Sequence, residues 1–338
     1  MIRDRGLRAD DIDTLPGASG GAKWLVLGGI DRFLFGEFLQ VPRVRPMNLI
    51  GSSIGSWRMA CLAQRDPVAA LARGHHAYIY DQQYSRRPST REVSDTLTRA
   101  LDALLGPTGV DEILSHPWAR LHVITAQGRG LAASERRGVL TSSIALAAVG
   151  NVISRRTLAL QMRRFVFHGG GDISPFRHLA DLPTSHVRLT AENCRAVLMA
   201  SGSIPLLVHG VRIPGVEGLH WDGGVLDYHL DLDFGVGDGL VLYPHFYSHI
   251  VPGWFDKGLR WRRSRGTNFD RALLIAPSDA FVAGLPGGRI PDRRDFYTFS
   301  DGERTRRWQA VADASMEMGD ELRELVVTGR IADRVERW

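Results

Sequence analysis

Residues 48–57 read Asn-Leu-Ile-Gly-Ser-Ser-Ile-Gly-Ser-Trp. An apolar run ends at Gly51 and a run with helical spacing begins at Ile54, which predicts a short buried strand passing directly into a helix. Ser53 lies at this junction between Gly51 and Gly55, in the pattern Gly-x-Ser-x-Gly. Glycine suits both flanks because the turn is sharp and side chains there would collide. The Ser53 hydroxyl would lie over the first helical turn, where unpaired N–H groups favour negative charge, so the position suits a nucleophile.

The same short pattern occurs a second time, at residues 17–21, so the pattern alone does not identify a nucleophile. Residues 15–23 are predicted as a loop of small residues that leads into an apolar helix bent near Gly28 and Gly29. A glycine loop that opens a helix is a cradle of backbone N–H groups. It would suit a phosphate, a dinucleotide pyrophosphate or an oxyanion, and a plain structural turn explains it equally well. The dinucleotide and P-loop patterns are both incomplete here.

Composition indicates a globular protein. The chain has 338 residues, of which 44% are hydrophobic and 23% charged, enough for a sizeable core. The first residues lack the apolar core of a signal peptide, and no uncharged apolar run approaches ~20 residues, so we expect a cytoplasmic protein without a spanning helix. Cys61 and Cys194 have no metal-ligand spacing and are predicted as buried, reduced thiols.

The charge balance is basic and almost entirely due to arginine. The net charge is +5, and Lys23 and Lys257 are the only lysines. The simplest interpretation is a mixed surface, because arginines spread along the chain beside 37 acidic residues. One cluster, Arg260, Arg262, Arg263 and Arg265 beside Trp261, would suit an anionic lipid surface or a nucleic acid. No nucleic-acid motif accompanies it, so we expect no nucleic-acid partner and a peripheral contact with a membrane surface.

Strands and helices alternate along the chain, which predicts an α/β domain with a mainly parallel central sheet. Beyond the strand that leads into Ser53, strands are predicted at residues 120–126, 165–168, 240–243 and 273–275. Helices are predicted at residues 54–73, 93–105 with an end at Gly106-Pro107, 142–165, 190–200 with Thr190 as N-cap, and 300–329 with a Ser300–Glu303 capping box. The segment 142–165 is either a core helix or a lid or surface-binding helix near the site.

A serine nucleophile needs a base. Histidine oriented by a carboxylate is the usual one, and Asp222 or Asp227 followed by His229, His245 or His249 would supply it. None of these histidines stands in a distinctive local pattern. Asp222 is followed by Gly223 and Gly224, which would let a facing group approach the carboxylate closely, although an ordinary Asp-Gly turn has the same sequence.

Several stretches taken in order resemble the patatin-like phospholipases. They are Ser19-Gly20-Gly21-Ala22-Lys23, Gly51-Ser52-Ser53-Ile54-Gly55, Ala200-Ser201-Gly202-Ser203-Ile204-Pro205, and Trp221-Asp222-Gly223-Gly224. That family has a glycine-rich oxyanion loop, a Gly-x-Ser-x-Gly elbow, an Ala-Ser-x-Ser-Ile-Pro stretch and then Asp-Gly-Gly or Asp-Gly-Ala. The resemblance covers residues 14–62 and 186–230, and the rest of the chain does not take part in it.

The resemblance implies a three-layer α/β/α sandwich, with a catalytic domain at residues 1–245 and a C-terminal extension at residues 246–338 packed on it. It also implies a Ser–Asp dyad without histidine, in which Ser53 attacks an ester carbonyl and Asp222 is the general base. The N–H groups of Gly20, Gly21 and Ala22 would form the oxyanion hole, so Ser19 would belong to that loop. The implied substrate is a lipid acyl ester, a phospholipid or another acyl glyceride, and neither a cofactor nor a metal is implied.

The loop departs from the family pattern Gly-Gly-Gly-x-Arg-Gly at three positions, which here are Ser19, Lys23 and Trp24. The backbone N–H donors of the loop do not depend on its side chains, so these three substitutions should preserve them. Trp24 would affect the width of the entrance for the acyl chain. Two alternatives stay open: a soluble carboxylesterase or thioesterase with the same dyad, and a non-enzymatic protein that binds lipid surfaces. The sequence leaves the oligomeric state open.

Overall fold

The computed structural model describes residues 2–43, 45–264 and 266–337. The apolar segments of these residues form a single eight-stranded sheet. Its strands are β1 (Ile12–Gly17), β2 (Met47–Ser52), β3 (Ala119–Gly128), β4 (Met162–His168), β5 (Thr184–Arg188), β6 (His220–Asp222), β7 (Leu240–Pro244) and β8 (Ala272–Ile275). The spatial order is β5-β4-β3-β2-β1-β7-β8, and β6 pairs with β3.

The sheet is mainly parallel, as the sequence predicts. Five neighbouring pairs run parallel: β1 with β2, β2 with β3, β1 with β7, β7 with β8, and β4 with β5. The antiparallel pairs are β3 with β4 and β3 with β6. Parallel strands bring their carboxyl ends to one edge of the sheet, where ligands bind in open α/β folds. Ser53, which follows β2, lies at this edge.

Helices cover both faces of the sheet, because its central strands are buried on both sides and must be shielded from water. They are α1 (Ile2–Arg5), α2 (Gly28–Phe33), α3 (Ile54–Leu62), α4 (Pro67–His76), α5 (Thr90–Leu105), α6 (Gly109–Ser115), α7 (Arg137–Ile153), α8 (Cys194–Ser201), α9 (Asp279–Gly284), α10 (Asp295–Thr298) and α11 (Asp301–Val327). The architecture is a three-layer α/β/α sandwich, as expected.

Residues 246–338, expected to be an extension, contribute to the same sheet and the same helical layer. Strand β8 lengthens the sheet by pairing with β7. Helix α11 packs against α2 at a close approach, where the Gly29 N–H donates to Ser315 Oγ at 3.1 Å. Residues of this segment, among them Lys257 and Arg293, also line the site described below.

Two predicted helices have different bounds in the structure. Residues 54–73 form α3 and α4 instead of one helix, because Asp66 caps a new helix by accepting from the Ala69 N–H at 2.9 Å and Pro67 occupies its first position. The predicted helix 142–165 begins earlier, at Arg137, and ends at Ile153. A 3₁₀ segment, Arg155–Leu160, follows it, and the residues from Met162 belong to β4.

The start of α8 and part of the first loop were also predicted wrongly. Asn193, not Thr190, is the N-cap of α8, and Thr190 lies one turn earlier, where its carbonyl accepts from the Cys194 N–H at 2.9 Å. The first three residues of the predicted loop 15–23 belong to β1. Pro16 is tolerated in this central strand because β7 pairs with β1 only at Ile12 and Thr14.

The region after that loop is less regular than the single bent helix predicted. It comprises a 3₁₀ segment (Gly21–Leu27), α2, and a π-helical turn (Leu34–Phe38). Other predictions are confirmed, including the strands at 240–243 and 273–275 and the end of α5 before Gly106. Ser300 caps α11 by accepting from the Glu303 N–H at 3.4 Å, while the Glu303 carboxylate binds Arg306 and Arg307, so half of the predicted capping box forms.

Candidate active site

Ser53 occupies the turn between β2 and α3 in a strained conformation, with φ 54° and ψ −135°. Such angles are rare for a residue with a side chain and persist only when the surroundings impose them. Here the Ser53 N–H donates to Ser201 Oγ at 2.9 Å, and the Ser53 carbonyl accepts from the Ser56 hydroxyl at 2.7 Å. A Cβ at Gly55 would overlap the Gly17 carbonyl oxygen, so only glycine allows α3 to lie this close to β1. The elbow is therefore held rigidly from both sides.

The pairing of β6 brings Asp222 next to Ser53. Strand β2 pairs with β3 up to Ser52, which lies opposite Ile124. Strand β6 pairs with β3 directly beyond that point, with Asp222 opposite Thr125. The aspartate thus stands where β2 has just ended, and Ser53 Oγ donates to Asp222 Oδ2 at 2.6 Å. Two residues far apart in the chain meet because they use successive positions along one strand.

The carboxylate of Asp222 is fixed and nearly buried, with 5% of the residue exposed. Its Oδ1 accepts from the Gly224 N–H at 2.7 Å, and its own N–H donates to the Ser203 carbonyl at 2.9 Å. Burial raises the pKa of Asp222 to about 6, against the opposing effect of the hydrogen bonds from Ser53 and Gly224. Such a carboxylate is mostly ionised at neutral pH and is a stronger base than an exposed one.

The expected oxyanion loop borders Ser53. Gly21 opens the 3₁₀ segment with φ +58°, a conformation suited to glycine. The first N–H groups of a helix have no partner within it, and those of Gly20, Gly21 and Ala22 donate to none of the residues that the structure describes. Gly20 and Gly21 line one cavity beside Ser53, and Gly21 and Ala22 line another. Unpaired donors therefore lie on the walls around the serine.

Ser19, the serine of the second Gly-x-Ser-x-Gly match, is held differently. Its hydroxyl lies 2.7 Å from Ser52 Oγ and 3.1 Å from the Ser52 carbonyl, and its N–H donates to the Tyr228 carbonyl at 2.8 Å. These bonds tie the loop to the end of β2. No carboxylate or imidazole among the described residues accepts from the Ser19 hydroxyl, so it lacks the base that Ser53 has.

The structure does not bring a histidine to the pair. The Asp227 carboxylate binds Arg164 at 2.7 Å and Arg155 at 3.1 Å. The Nδ1 of His229 accepts from the Val251 N–H at 3.1 Å. Within the described ranges, neither this histidine nor His245 or His249 hydrogen-bonds to Ser53 or Asp222. Burial lowers the pKa of His229 and lowers that of His245 to about 3, so both stay neutral packing groups.

Two cavities meet at Ser53, with volumes of about 490 and 520 Å³. Both are also lined by Gly21, Ile204, Leu207 and Arg293. The larger cavity has mainly apolar and aromatic walls, which include Ile54, Trp57, Tyr78, Val93, Leu97, Val208, Phe296 and Phe299. Its charged lining residues are Arg86, Arg293, Asp301 and Arg304, of which Arg304 is paired with Asp301. Its size and lining suit an apolar chain that reaches the serine from this side.

The smaller cavity is basic. Both lysines of the chain line it, together with Arg293 and Arg294, and its two carboxylates are Asp222 and Asp292. The Lys23 side chain is 10% exposed and its Nζ lies 4.0 Å from Asp292 Oδ2, beyond hydrogen-bond distance. Burial lowers the pKa of Lys23 to about 8, with Asp292 opposing the shift. An ammonium buried with so incomplete a counter-charge favours the binding of an anion.

Lys257 also lines this cavity and is exposed to solvent. Its Nζ lies 3.9 Å from the centroid of the Tyr228 ring, a cation–π contact. The pKa of Lys257 is lowered to about 7, chiefly by loss of hydration and to a smaller extent by repulsion from Lys23 and Arg293. The attraction of Asp222 opposes this shift. Both lysines of the chain thus lie in the wall of the cavity that borders Ser53 and Asp222.

Sequence reasoning missed several of these residues. The roles of Ser201 and Ser203 as partners of Ser53 and Asp222 are not apparent from a motif, although the motif that contains them was recognised. Lys257 was noted only as a feature of composition, and Lys23 only as a departure from the family's loop pattern. Their rarity was the available signal, since a residue type used twice in 338 positions is poorly explained as general surface charge.

Fold and site together define an α/β protein with a serine–aspartate pair at the carboxyl edge of a mainly parallel sheet. Comparison with protein-family models gives no match, and comparison with curated proteins gives no significant match either. Among the described residues, no helix is long and apolar enough to cross a membrane, and no group of side chains has the arrangement of a metal site. Cys61 and Cys194 are buried free thiols, and burial raises the pKa of both.

Proposed function

We propose that this protein is a serine acyl-ester hydrolase that acts on lipids, with Ser53 as nucleophile and Asp222 as general base. The hydrogen bond of 2.6 Å from Ser53 Oγ to the buried Asp222 carboxylate carries this proposal. The strained elbow adds support, because strain of this kind is typical of catalytic nucleophiles. The resemblance to the patatin-like phospholipases points to the same reaction and the same two residues.

In the proposed reaction, Asp222 takes the Ser53 proton as Oγ forms a bond to the ester carbonyl carbon. The negative charge that develops on the carbonyl oxygen is stabilised by the N–H groups of Gly20, Gly21 and Ala22. Collapse of this intermediate breaks the bond to the alcohol, which leaves with the proton from Asp222, and an acyl-enzyme remains. Water then attacks the acyl carbon with Asp222 again as base, which releases the carboxylic acid and restores Ser53. No cofactor or metal takes part in this proposal.

The two cavities suggest how the two parts of the proposed substrate would be oriented at Ser53. The apolar cavity would hold the acyl chain, and the basic cavity would hold the alcohol side of the ester. Because Lys23 is buried without a hydrogen-bonded counter-charge, an alcohol that carries phosphate fits better than a neutral one. We therefore propose an acyl glyceride with a phosphate group as the substrate class. The buried free thiols of Cys61 and Cys194 suit a reducing compartment, and we place the protein in the cytoplasm.

The test is a panel of phospholipids, neutral glycerides, short acyl esters and thioesters, assayed with the wild type beside Ser53→Ala. Hydrolysis of the phosphate-bearing lipids, lost in Ser53→Ala together with labelling by a serine-directed phosphonate, is the expected result. Preference for dispersed short esters or thioesters would favour the soluble-esterase alternative. Vesicle binding with no turnover of any ester would favour the non-enzymatic alternative, and activity that persists in Ser53→Ala would refute the dyad.

A further inference from the structure

Helix α7 buries two polar side chains, Ser143 and Asn151, while four large apolar side chains near its end are exposed. The buried positions are Leu140, Ser143, Ala147 and Asn151. Each of the two polar ones donates one hydrogen bond to the protein: Ser143 Oγ donates to Gln161 Oε1 at 2.8 Å, and Asn151 Nδ2 donates to Asp256 Oδ1 at 2.7 Å. The inner face is thus anchored largely by small and polar residues.

The outer face is apolar and exposed. It comprises Leu146, Val149, Val152 and Ile153, which are 55%, 66%, 55% and 80% exposed. No charged residue occurs between Arg137 and Arg155, so nothing on this face is charged. A solvated helix of a globular protein has the opposite arrangement, with its charged side chains facing water. A contiguous exposed apolar face of this kind marks an interaction surface.

Basic residues flank the end of this face. Arg262 Nη2 donates to the carbonyls of Asn151 and Val152 at 2.9 and 3.2 Å, which fixes the 3₁₀ segment Arg260–Arg262 beside the end of α7. Trp261 on that segment is 69% exposed. Arg156, Arg260 and Arg263 have no carboxylate partner in the part of the chain that the structure describes. Arg265, the fourth arginine of the cluster noted in the sequence, lies outside the described residues.

The apolar face adjoins the site. Ile144, on the flank of α7, lines the basic cavity beside Ser53. Trp254 and Phe255 line the same cavity, and Asp256, which follows them, is the residue bound by Asn151 of α7. A molecule seated on the outer face of α7 would therefore lie next to the entrance of the cavity.

We propose that the outer face of α7, together with Trp261, Arg156, Arg260 and Arg263, docks on an anionic lipid surface. Apolar side chains, an exposed tryptophan and unpaired arginines are the composition of helices that lie in the plane of a membrane interface. A second copy of the chain is a poorer occupant, because a two-fold contact through this face would bring the same unpaired arginines together. The inference goes beyond the proposed hydrolysis, since binding requires no turnover.

The experiment measures binding of the Ser53→Ala protein to vesicles of phosphatidylcholine alone and of phosphatidylcholine mixed with phosphatidylglycerol. The Ser53→Ala protein without further changes should bind the vesicles that contain phosphatidylglycerol more strongly than those of phosphatidylcholine alone. Val149→Glu/Ile153→Glu should weaken binding to both at least about tenfold. Arg260→Gln/Arg263→Gln should weaken binding about fivefold per charge, on anionic vesicles only. Val327→Glu at the end of α11 is the matched control, because Val327 is 71% exposed and belongs to a different helix, and it should bind normally.

Three results would overturn the inference. The first is the absence of vesicle binding, and the second is vesicle binding that is unchanged in Val149→Glu/Ile153→Glu. The third is a wild-type dimer in light scattering that this double variant converts to a monomer, which would make the face an interface between copies. Circular dichroism of each variant checks folding. Since the binding assays use Ser53→Ala, a lack of lipid hydrolysis in the wild type would refute the proposed function and leave the docking result intact.

Discussion

Replacing Asp222 with asparagine should remove activity and add stability at once. Burial raises the pKa of Asp222 to about 6 from an ordinary value of 3.8, so the folded protein holds an ionised carboxylate at neutral pH at an energetic cost. The difference corresponds to about 3 kcal/mol at pH 7, as an upper bound. The amide of the Asp222→Asn variant would be neutral in both the folded and the unfolded state, and nearly the same shape as the carboxylate. The variant should therefore gain about 1–3 kcal/mol in free energy of unfolding.

The gain should depend on pH in a defined direction. Because the folded pKa lies above the unfolded one, the wild type loses stability as pH rises from about 4 to about 6 and stays lower above that. The variant should match the wild type below about pH 4 and exceed it at pH 7. Denaturant unfolding at both pH values measures this difference. A variant that is less stable than the wild type at pH 7 would refute the electrostatic account of Asp222.

Activity should change in the opposite sense. Loss of a general base costs about 100-fold or more in kcat/KM. In the wild type, kcat/KM for a neutral short ester should rise about tenfold between pH 5 and pH 7, as Asp222 ionises through its pKa of about 6. The residual kcat/KM of Asp222→Asn should not show this rise between pH 5 and pH 7. A rise that persists, or an equal loss in His229→Gln, His245→Gln or His249→Gln, would contradict the dyad and favour a histidine base.

Three further predictions concern the walls and the elbow of the site. Lys23→Gln and Lys257→Gln should raise KM about tenfold for a phosphate-bearing ester and leave KM for a neutral ester unchanged. The wild type should lose affinity for the phosphate-bearing ester alone as pH rises through about 7 to 8, because Lys257 and Lys23 lose their charge at these lowered pKa values. Equal KM changes for both esters would refute an anion site. Leu97→Trp, which narrows the apolar cavity, should shift preference towards shorter acyl chains in a chain-length series; an unchanged profile would exclude this cavity as the acyl site. Gly55→Ala should destabilise the fold by about 3 kcal/mol or more in denaturant unfolding, because its Cβ would overlap the Gly17 carbonyl. Gly258→Ala is the control and should not change stability, because Gly258 has open space around it. Equal stability of both variants would contradict the tight packing of the elbow.

Local sequence patterns were sufficient to predict the strand, turn and helix that carry Ser53. A buried strand, a glycine-flanked serine and a helix follow one another within ten residues, so apolar patterning and glycine placement predict Ser53 at a turn. The alternation of strands and helices likewise predicts the α/β class, because each element is coded by its own periodicity. Helix ends were predicted less well. Asp66 and Pro67 begin a new helix inside an uninterrupted pattern, and the capping bond that decides this is visible only in the fold.

The contacts between residues far apart in the chain depend on the packing of the whole fold. Asp222 meets Ser53 because β6 continues along β3 from the point where β2 stops, and this register depends on the whole sheet. Its raised pKa is a consequence of burial, which no local sequence encodes. Lys23 and Lys257 converge on one cavity although the chain between them forms most of the domain. The sequence also left open whether the helix containing residue 142 was a core or a surface helix. Which face of this helix is buried depends on the elements that pack against it. In the folded protein those elements leave the apolar side chains near the end of the helix exposed.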